Sequence, residues 1–135
     1  MNDLPEMALS IRQPWCWAIL EAGKDIENRS WWTSRRGPIC IHASSGMTRF
    51  EYEDCLATLH GISASHPFPP GLKLPALDAL QRGGIVGVVD IVDVVTRSAS
   101  PWFFGNYGFV LANARAVPFV PVKGKQGFFR WRERL

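Results

Sequence analysis

The chain has 135 residues, of which 47% are hydrophobic and 20% charged, so it has the length and composition of one folded domain. This composition excludes a disordered chain, and no apolar run reaches the length of a membrane span. The formal charge of +3 is by itself only weak evidence for a polyanionic partner.

The first residues and the cysteines bear on where the protein works. Residues 1–6 are polar and acidic, unlike a signal peptide, and the three cysteines lack the spacing of disulfide or zinc pairs. We therefore expect a cytoplasmic protein that uses no metal and no cofactor. We also expect one domain over the whole chain, a flexible N-terminus over residues 1–7, and a monomer in preference to an oligomer.

The first half of the chain is predicted to contain both strands and helices. Its predicted elements are a strand over 8–12, a helix over 14–23, an extended segment over 24–29, a strand over 38–43 and a helix over 48–61. Thr48 is a residue type that often caps a helix N-terminus. Tyr52, Cys55, Leu56 and Leu59 follow at helical spacing, so this stripe is predicted to face the core.

The second half is predicted to be mostly strands. Its predicted elements are a short helix near 75–81 and strands over 83–95, 109–111, 117–122 and 128–131. Five or six strands, most of them late in the chain, predict an α+β fold built as a small mixed or antiparallel β-barrel. Two or three helices are expected to pack at the side and the end of this barrel.

Charge is unevenly distributed along the chain. After Asp93 the only acidic residue is Glu133. The basic residues of the same stretch are Arg97, Arg115, Lys123, Lys125, Arg130, Arg132 and Arg134. A one-signed segment of this kind favours an anionic partner, and an ordinary solvated surface is the alternative.

Six short segments carry more specific information. They are SIRQPW at 10–15, GKDIENR at 23–29, RGPICIHA at 36–43, GIVGVV at 84–89, YGFVL at 107–111 and PVKGKQGF at 121–128. Their order resembles that of the ASCH family of the PUA-like superfamily. The resemblance implies a PUA-like β-barrel with a cleft between the barrel and the first helix. It also implies RNA or a modified base as ligand, and some family members act as ribonucleases or as amidohydrolases on acylated cytidine.

Lys24 and Glu27 are the candidate catalytic residues. Lys24 matches the cleft lysine of the family. The amidohydrolase branch has a Thr three positions later and a Glu in a later segment, whereas this chain has Glu27 at the Thr position and no matching later carboxylate. Two of the three roles in that mechanism are therefore empty or altered, which counts against this exact mechanism; substitution by Glu27 or Asp90 is the alternative.

The spacing of Lys24 and Glu27 leaves their relationship open. A strict strand would place the two side chains on opposite faces, whereas a turn after Gly23 could bring them together. Glu27 could then take a proton while Lys24 contacts a phosphate or polarises a carbonyl. The alternative is that Glu27 and Arg29 form ordinary ion pairs that hold this segment to the barrel.

Trp31 and Trp32 lie in a polar stretch beside Arg29, Arg35 and Arg36. In an extended segment the two rings point to opposite sides. We expect one ring to cap the barrel and the other to offer a stacking surface for a base, with the guanidinium groups near its phosphates.

Further candidate ligand-binding residues come from loops and strand ends. The amide of Gln13 could contact a base edge or cap the first helix, and His42 could be a ligand or a core residue. The other candidates are Ser44, Trp102 or Tyr107 in a second aromatic loop, and Lys123 and Lys125 in a basic turn.

Three hypotheses for function follow. The first is a module that binds single-stranded RNA or a modified nucleoside through a basic cleft with aromatic walls. The second is a small metal-independent hydrolase of the same cleft, a ribonuclease or an amidohydrolase, with Lys24 and Glu27 as catalytic residues. The third is a protein-interaction adaptor that uses the acidic second helix or the loop over 66–71.

Overall fold

Six strands and two helices form the fold of residues 3–135, which are the residues that the computed structural model describes. The strands are β1 (Met7–Ile11), β2 (Ile26–Arg29), β3 (Gly37–Ala43), β4 (Gly84–Val95), β5 (Tyr107–Pro121) and β6 (Phe128–Arg130). The helices are α1 (Trp15–Glu21) and α2 (Arg49–Ser63). Two 3-10 turns cover Leu77–Ala79 and Trp131–Arg134.

The strands form one curled sheet in the order β2-β5-β4-β3-β1-β6. The β1–β3 pair is parallel, and the other four pairs are antiparallel. This mixed sheet is a half-barrel with two helices, which confirms the predicted α+β fold.

Side chains bridge the two edges of the half-barrel. Arg29 on β2 donates a hydrogen bond of 2.8 Å to the carbonyl of Ser10 on β1. Trp31, which follows β2, packs edge-on against Phe128 on β6 with ring centroids 5.7 Å apart. The curl of the sheet therefore brings β2 close to strands from which it is far removed in the sheet order.

One continuous strand, β5, replaces the two strands that the sequence predicted over 109–111 and 117–122. Its register against β4 shifts at three places, and Asn113 has a φ of 56°. Asn tolerates this left-handed conformation better than most residues, and its amide donates a 2.8 Å hydrogen bond to Asp90 on β4. The predicted break was wrong because Ala112, Arg115 and Ala116 stay paired with the long β4 on either side of the bulge at Asn113.

Local capping sets the start of α2. Glu51 N donates to Thr48 Oγ1 at 3.1 Å, and Thr48 N donates to Glu51 Oε1 at 2.8 Å, which together make a capping box. Thr48 is therefore the N-cap, as predicted, although the helix continues two residues past Gly61. Leu56 was wrongly assigned to the core stripe: it is 44% exposed, and Ile62 is buried instead.

The helix α1 covers the main core. Cys16 and Ile19 of α1 pack with Ile41, Val89 and Phe109 of the sheet. No helix within residues 3–135 is both long enough and apolar enough to cross a membrane.

Two further predictions concern the short segments. The predicted helix over 75–81 is only the 3-10 turn Leu77–Ala79, whose N-cap position, Ala76, has no side chain that can cap it.

Near the N-terminus, Pro5 accepts a 2.7 Å hydrogen bond from the indole of Trp131. Residues 1 and 2 lie outside the described residues, and the flexible segment over 1–7 stays a prediction.

Candidate ligand-binding cleft

A cleft of about 760 Å³ opens between β1, α1, β2 and α2. This volume lies within the range of small-molecule sites. The charged and aromatic side chains that line it are Arg12, Trp15, Lys24, Glu27, Arg29, Trp31, Glu51, Asp54 and Phe104.

Lys24 enters the cleft from the turn that follows α1. Gly23 has a φ of 75°, and Lys24 N donates a 3.0 Å hydrogen bond to the carbonyl of Ala18. Lys24 therefore still belongs to this turn and lies before β2, which begins at Ile26. Its ammonium donates to the carbonyl of Ile26 and lies 3.6 Å from Glu27 Oε1. The turn therefore brings together two side chains that a strict strand would separate.

Burial gives the Lys24 ammonium unusual acid–base properties. Its side chain is 5% exposed, and that of Glu27 is 9% exposed. Burial lowers the pKa of Lys24 because the charged form loses contact with water, and the nearby Glu27 carboxylate opposes this shift. This lysine can therefore release a proton more readily than a lysine on the surface.

Arg29 completes a charged floor at the base of the cleft. Its Nε donates to Glu27 Oε2 at 2.9 Å, so one carboxylate compensates two cations. Its guanidinium carbon also lies 5.9 Å from the centroid of the Trp31 ring. Glu27 thus pairs with both Arg29 and Lys24. The two arrangements that the sequence offered as alternatives are both present.

Trp31 and Trp32 lie in different environments. Trp31 is half-buried, packs edge-on against Phe109 with centroids 5.2 Å apart, and also lines the cleft. Trp32 is 56% exposed and lies outside the cleft lining. One ring therefore both caps the half-barrel and faces the cleft, while the other faces solvent.

The second aromatic loop contributes a residue that the sequence analysis did not select. Phe104 lines the cleft and is 56% exposed. Trp102 is 4% exposed and belongs to the core, and Tyr107 lies outside the cleft lining. The loop lacks the periodicity that would have indicated which of its rings faces the cleft.

The acidic second helix, which the sequence suggested as a protein-interaction surface, forms one wall of the cleft. Glu51, Asp54 and Thr58 line the cleft from one face of the helix. Their spacing of three and then four residues is a signal that could have identified this face. The side chain of Arg12 donates a 2.7 Å hydrogen bond to Glu51 and so lowers the pKa of that carboxyl to about 2.

Positive and negative side chains are equally numerous in the cleft. The cations are Arg12, Lys24 and Arg29, and the carboxylates are Glu27, Glu51 and Asp54. This balance differs from the basic cleft that the sequence predicted, because α2 turns Glu51 and Asp54 towards the cleft. The basic residues late in the chain lie outside the cleft lining.

The side chain of Gln13, which precedes the N-cap Pro14, bonds to the first turn of α1 and lies outside the cleft lining. Its Oε1 accepts a 3.1 Å hydrogen bond from Trp17 N, and its Nε2 donates at 2.9 Å to the carbonyl of Gln81. Its side chain contributes to a second, smaller pocket of about 380 Å³ instead.

His42 is buried in a network between β1 and the turn before β6. Its Nε2 is 2.7 Å from the carbonyl of Val122, which can only accept, so Nε2 carries the proton. Nδ1 is therefore the acceptor of the 3.1 Å hydrogen bond from the Ser10 hydroxyl. Burial lowers the pKa of His42, so the structure favours the neutral ring.

The other sequence-selected residues lie outside the cleft lining. Arg35 places its guanidinium carbon 5.2 Å from the centroid of Phe128. Residues in this outer group are Trp32, Arg35, Arg36, Ser44, Tyr107, Lys123 and Lys125.

A curled mixed half-barrel with a cleft beside its first helix defines a class of small α+β domains. The family model described as the ASCH domain matches residues 9–117, which is most of the chain. The chain therefore belongs to the ASCH family, within the PUA-like superfamily. A search of curated proteins finds no match.

Proposed function

We propose that the cleft binds a nucleobase, presented by a modified nucleoside or by single-stranded RNA. The observation that carries the proposal is the buried Lys24–Glu27 pair at the base of a cleft with aromatic side chains. Aromatic faces suit the stacking of a base, and donors and acceptors beside them suit its polar edge. Membership of the ASCH family supports the same class of ligand.

The polar groups of the cleft match the mixed edge of a base. Lys24 and Arg29 offer N–H donors, and Glu27 and Asp54 offer carboxylate acceptors. Because a base edge also carries both donors and acceptors, each of its polar atoms has a partner of the opposite kind available.

Phe104→Ala tests the aromatic part of the proposal. Phe104 is exposed, so its removal leaves the core intact, and stacking on a base contributes about 1–3 kcal/mol. We expect this variant to bind N4-acetylcytidine and labelled single-stranded RNA about fivefold or more weakly than the native protein. Phe50→Ala is the matched control, since Phe50 is 78% exposed and lies outside the cleft lining.

Lys24→Met tests the polar part. Methionine keeps most of the length of the side chain and removes its charge, while Glu27 keeps its bond to Arg29. We expect the affinity for both probes to fall about tenfold, whereas Lys73→Met, at an exposed lysine outside the cleft lining, leaves it unchanged. Equal affinity in the Lys24 and Lys73 variants, with native circular dichroism, contradicts the proposal.

A hydrolase of the same cleft is the second candidate function. The 3.6 Å contact between Lys24 Nζ and Glu27 Oε1 favours it, because such a pair can move a proton between water and a leaving group. Hydrolysis of N4-acetylcytidine by water would release cytidine and acetate, and cleavage of RNA would release shorter fragments. Turnover that is lost in Glu27→Gln supports the hydrolase, and bound but unchanged probe supports the binding module.

A further inference from the structure

Asp54 is an unpaired carboxylate in the cleft. It lies on the same face of α2 as Glu51 and Thr58, and it is exposed to the solvent of the cleft. Its carboxylate makes no hydrogen bond or ion pair with any residue of the described range 3–135. Unlike the other acids of the cleft, it is therefore free to contact a ligand.

The other charges of the cleft compensate one another. Arg12 Nη2 donates a 2.7 Å hydrogen bond to Glu51 Oε1. Glu27 lies 3.6 Å from Lys24 and 2.9 Å from Arg29. These five groups together carry one positive charge, and Asp54 cancels it, so the cleft offers a phosphate no net attraction.

We propose that Asp54 determines the class of ligand that the cleft accepts: an uncharged base or nucleoside moiety enters, and a phosphate is disfavoured. This inference rests on the proposed function and adds a specificity-determining residue to it. A carboxylate accepts hydrogen bonds from the N–H groups of a base or the hydroxyls of a ribose, and it repels a phosphate.

The proposal also locates the phosphates of a bound RNA strand outside the cleft. Arg35, Lys123 and Lys125 are exposed and lie outside the cleft lining. Arg35 packs on Phe128, which in turn contacts the cleft residue Trp31. A strand whose base occupies the cleft can therefore place its backbone beside Arg35.

The experiment compares two neighbouring acids on α2. Asp54→Asn and Glu53→Gln each remove one negative charge, so they change the long-range field similarly. Glu53 lies outside the cleft lining, and its carboxylate is 3.9 Å from the exposed Arg49. The probes are N4-acetylcytidine and its 5′-monophosphate, and the measured quantity is the ratio of their Kd values by calorimetry at low salt.

We expect Asp54→Asn to improve binding of the monophosphate relative to the nucleoside by about threefold to tenfold, as for one nearby charge in a solvated site. Glu53→Gln should leave the ratio unchanged. Nucleoside binding with an unchanged ratio in Asp54→Asn, or an equal change in both variants, overturns the inference alone. Failure of the native protein to bind either probe overturns the proposed function as well.

Discussion

The ammonium of Lys24 lies 3.6 Å from Glu27 Oε1, and both side chains are more than nine-tenths buried. A buried charge without a partner is strongly destabilising, so each residue makes the ionised form of the other tolerable. The same two side chains line the base of the cleft. The pair that supports the fold is therefore also the pair that we propose as the polar part of the binding site.

Glu27→Gln should lower the free energy of unfolding by about 2–4 kcal/mol at pH 7, because it leaves the Lys24 ammonium buried without a counter-charge. Urea unfolding measures this loss. Glu21→Gln, at an exposed glutamate of α1, is the control and should stay within about 0.5 kcal/mol of the native protein. Equal losses in the two variants would show that Glu27 does not compensate Lys24.

The loss of stability in Glu27→Gln should depend on pH in a defined direction. The folded-state pKa of Lys24 is below its ordinary value of 10.5, so the unfolded chain binds the proton more tightly. Stability therefore rises with pH between the folded-state pKa and 10.5. Because Lys24 is neutral at the end of this interval, the deficit of Glu27→Gln should shrink there, and a deficit that stays constant contradicts the assignment.

Glu51→Gln should be less stable than the native protein by about 1 kcal/mol at pH 7, through loss of charge at the helix N-terminus and of the Arg12 ion pair. The folded-state pKa of Glu51 is lowered to about 2 from 4.5, so its contribution is present above 4.5 and is lost as pH falls towards 2. Denaturant unfolding at several pH values should show the deficit shrinking across this window. Glu53→Gln serves as control, and a deficit independent of pH argues against the ion pair.

His42 should titrate with a pKa below 6.5, because burial lowers its folded-state pKa. The unfolded chain then binds the proton first, so stability falls as pH drops from 6.5 towards the folded-state pKa. NMR of the imidazole resonances measures the titration directly. A titration midpoint at or above pH 6.5 would contradict burial of the ring in the network with Ser10 and Val122.

Gly124→Ala should destabilise the fold by about 1–3 kcal/mol, since overpacking displaces neighbouring side chains. A Cβ at Gly124 would lie 2.5 Å from His42 Cε1 and 2.8 Å from Ser10 Oγ. Gly61→Ala is the matched control in α2, where a Cβ has nothing within 4 Å and alanine should add about 0.5–1 kcal/mol of stability. Loss of stability in both variants would point to an effect of alanine itself.

Local signals were sufficient wherever neighbours in the chain decide the structure. Thr48 at the N-cap and Glu51 three residues later make a capping box, so the start of α2 follows from the sequence. The buried face of α2 did not follow from helical spacing alone, because the elements that pack against a helix determine which of its residues are buried. Ile62 rather than Leu56 is buried for that reason.

The bulged strand β5 shows the opposite case. The stretch over 112–116 is three alanines alternating with Asn113 and Arg115, and it lacks the large or β-branched apolar residues typical of strands, so its sequence predicts a break. Pairing with β4 keeps it extended, and Asn113 absorbs the irregularity with its positive φ. Ladder hydrogen bonds to a distant strand cannot be detected from local spacing.

By itself, the amino-acid sequence determined the ASCH family, the α+β barrel-like fold and the choice of Lys24, Glu27, Arg29 and Trp31 as candidate site residues, because these depend on short segments in a characteristic order. Only the tertiary structure decided that Phe104 and Asp54 line the cleft and that its charges balance. The reason is physical: the cleft forms between elements that are distant in sequence, and packing between them determines which face of α2 and which ring of the aromatic loop turn inward.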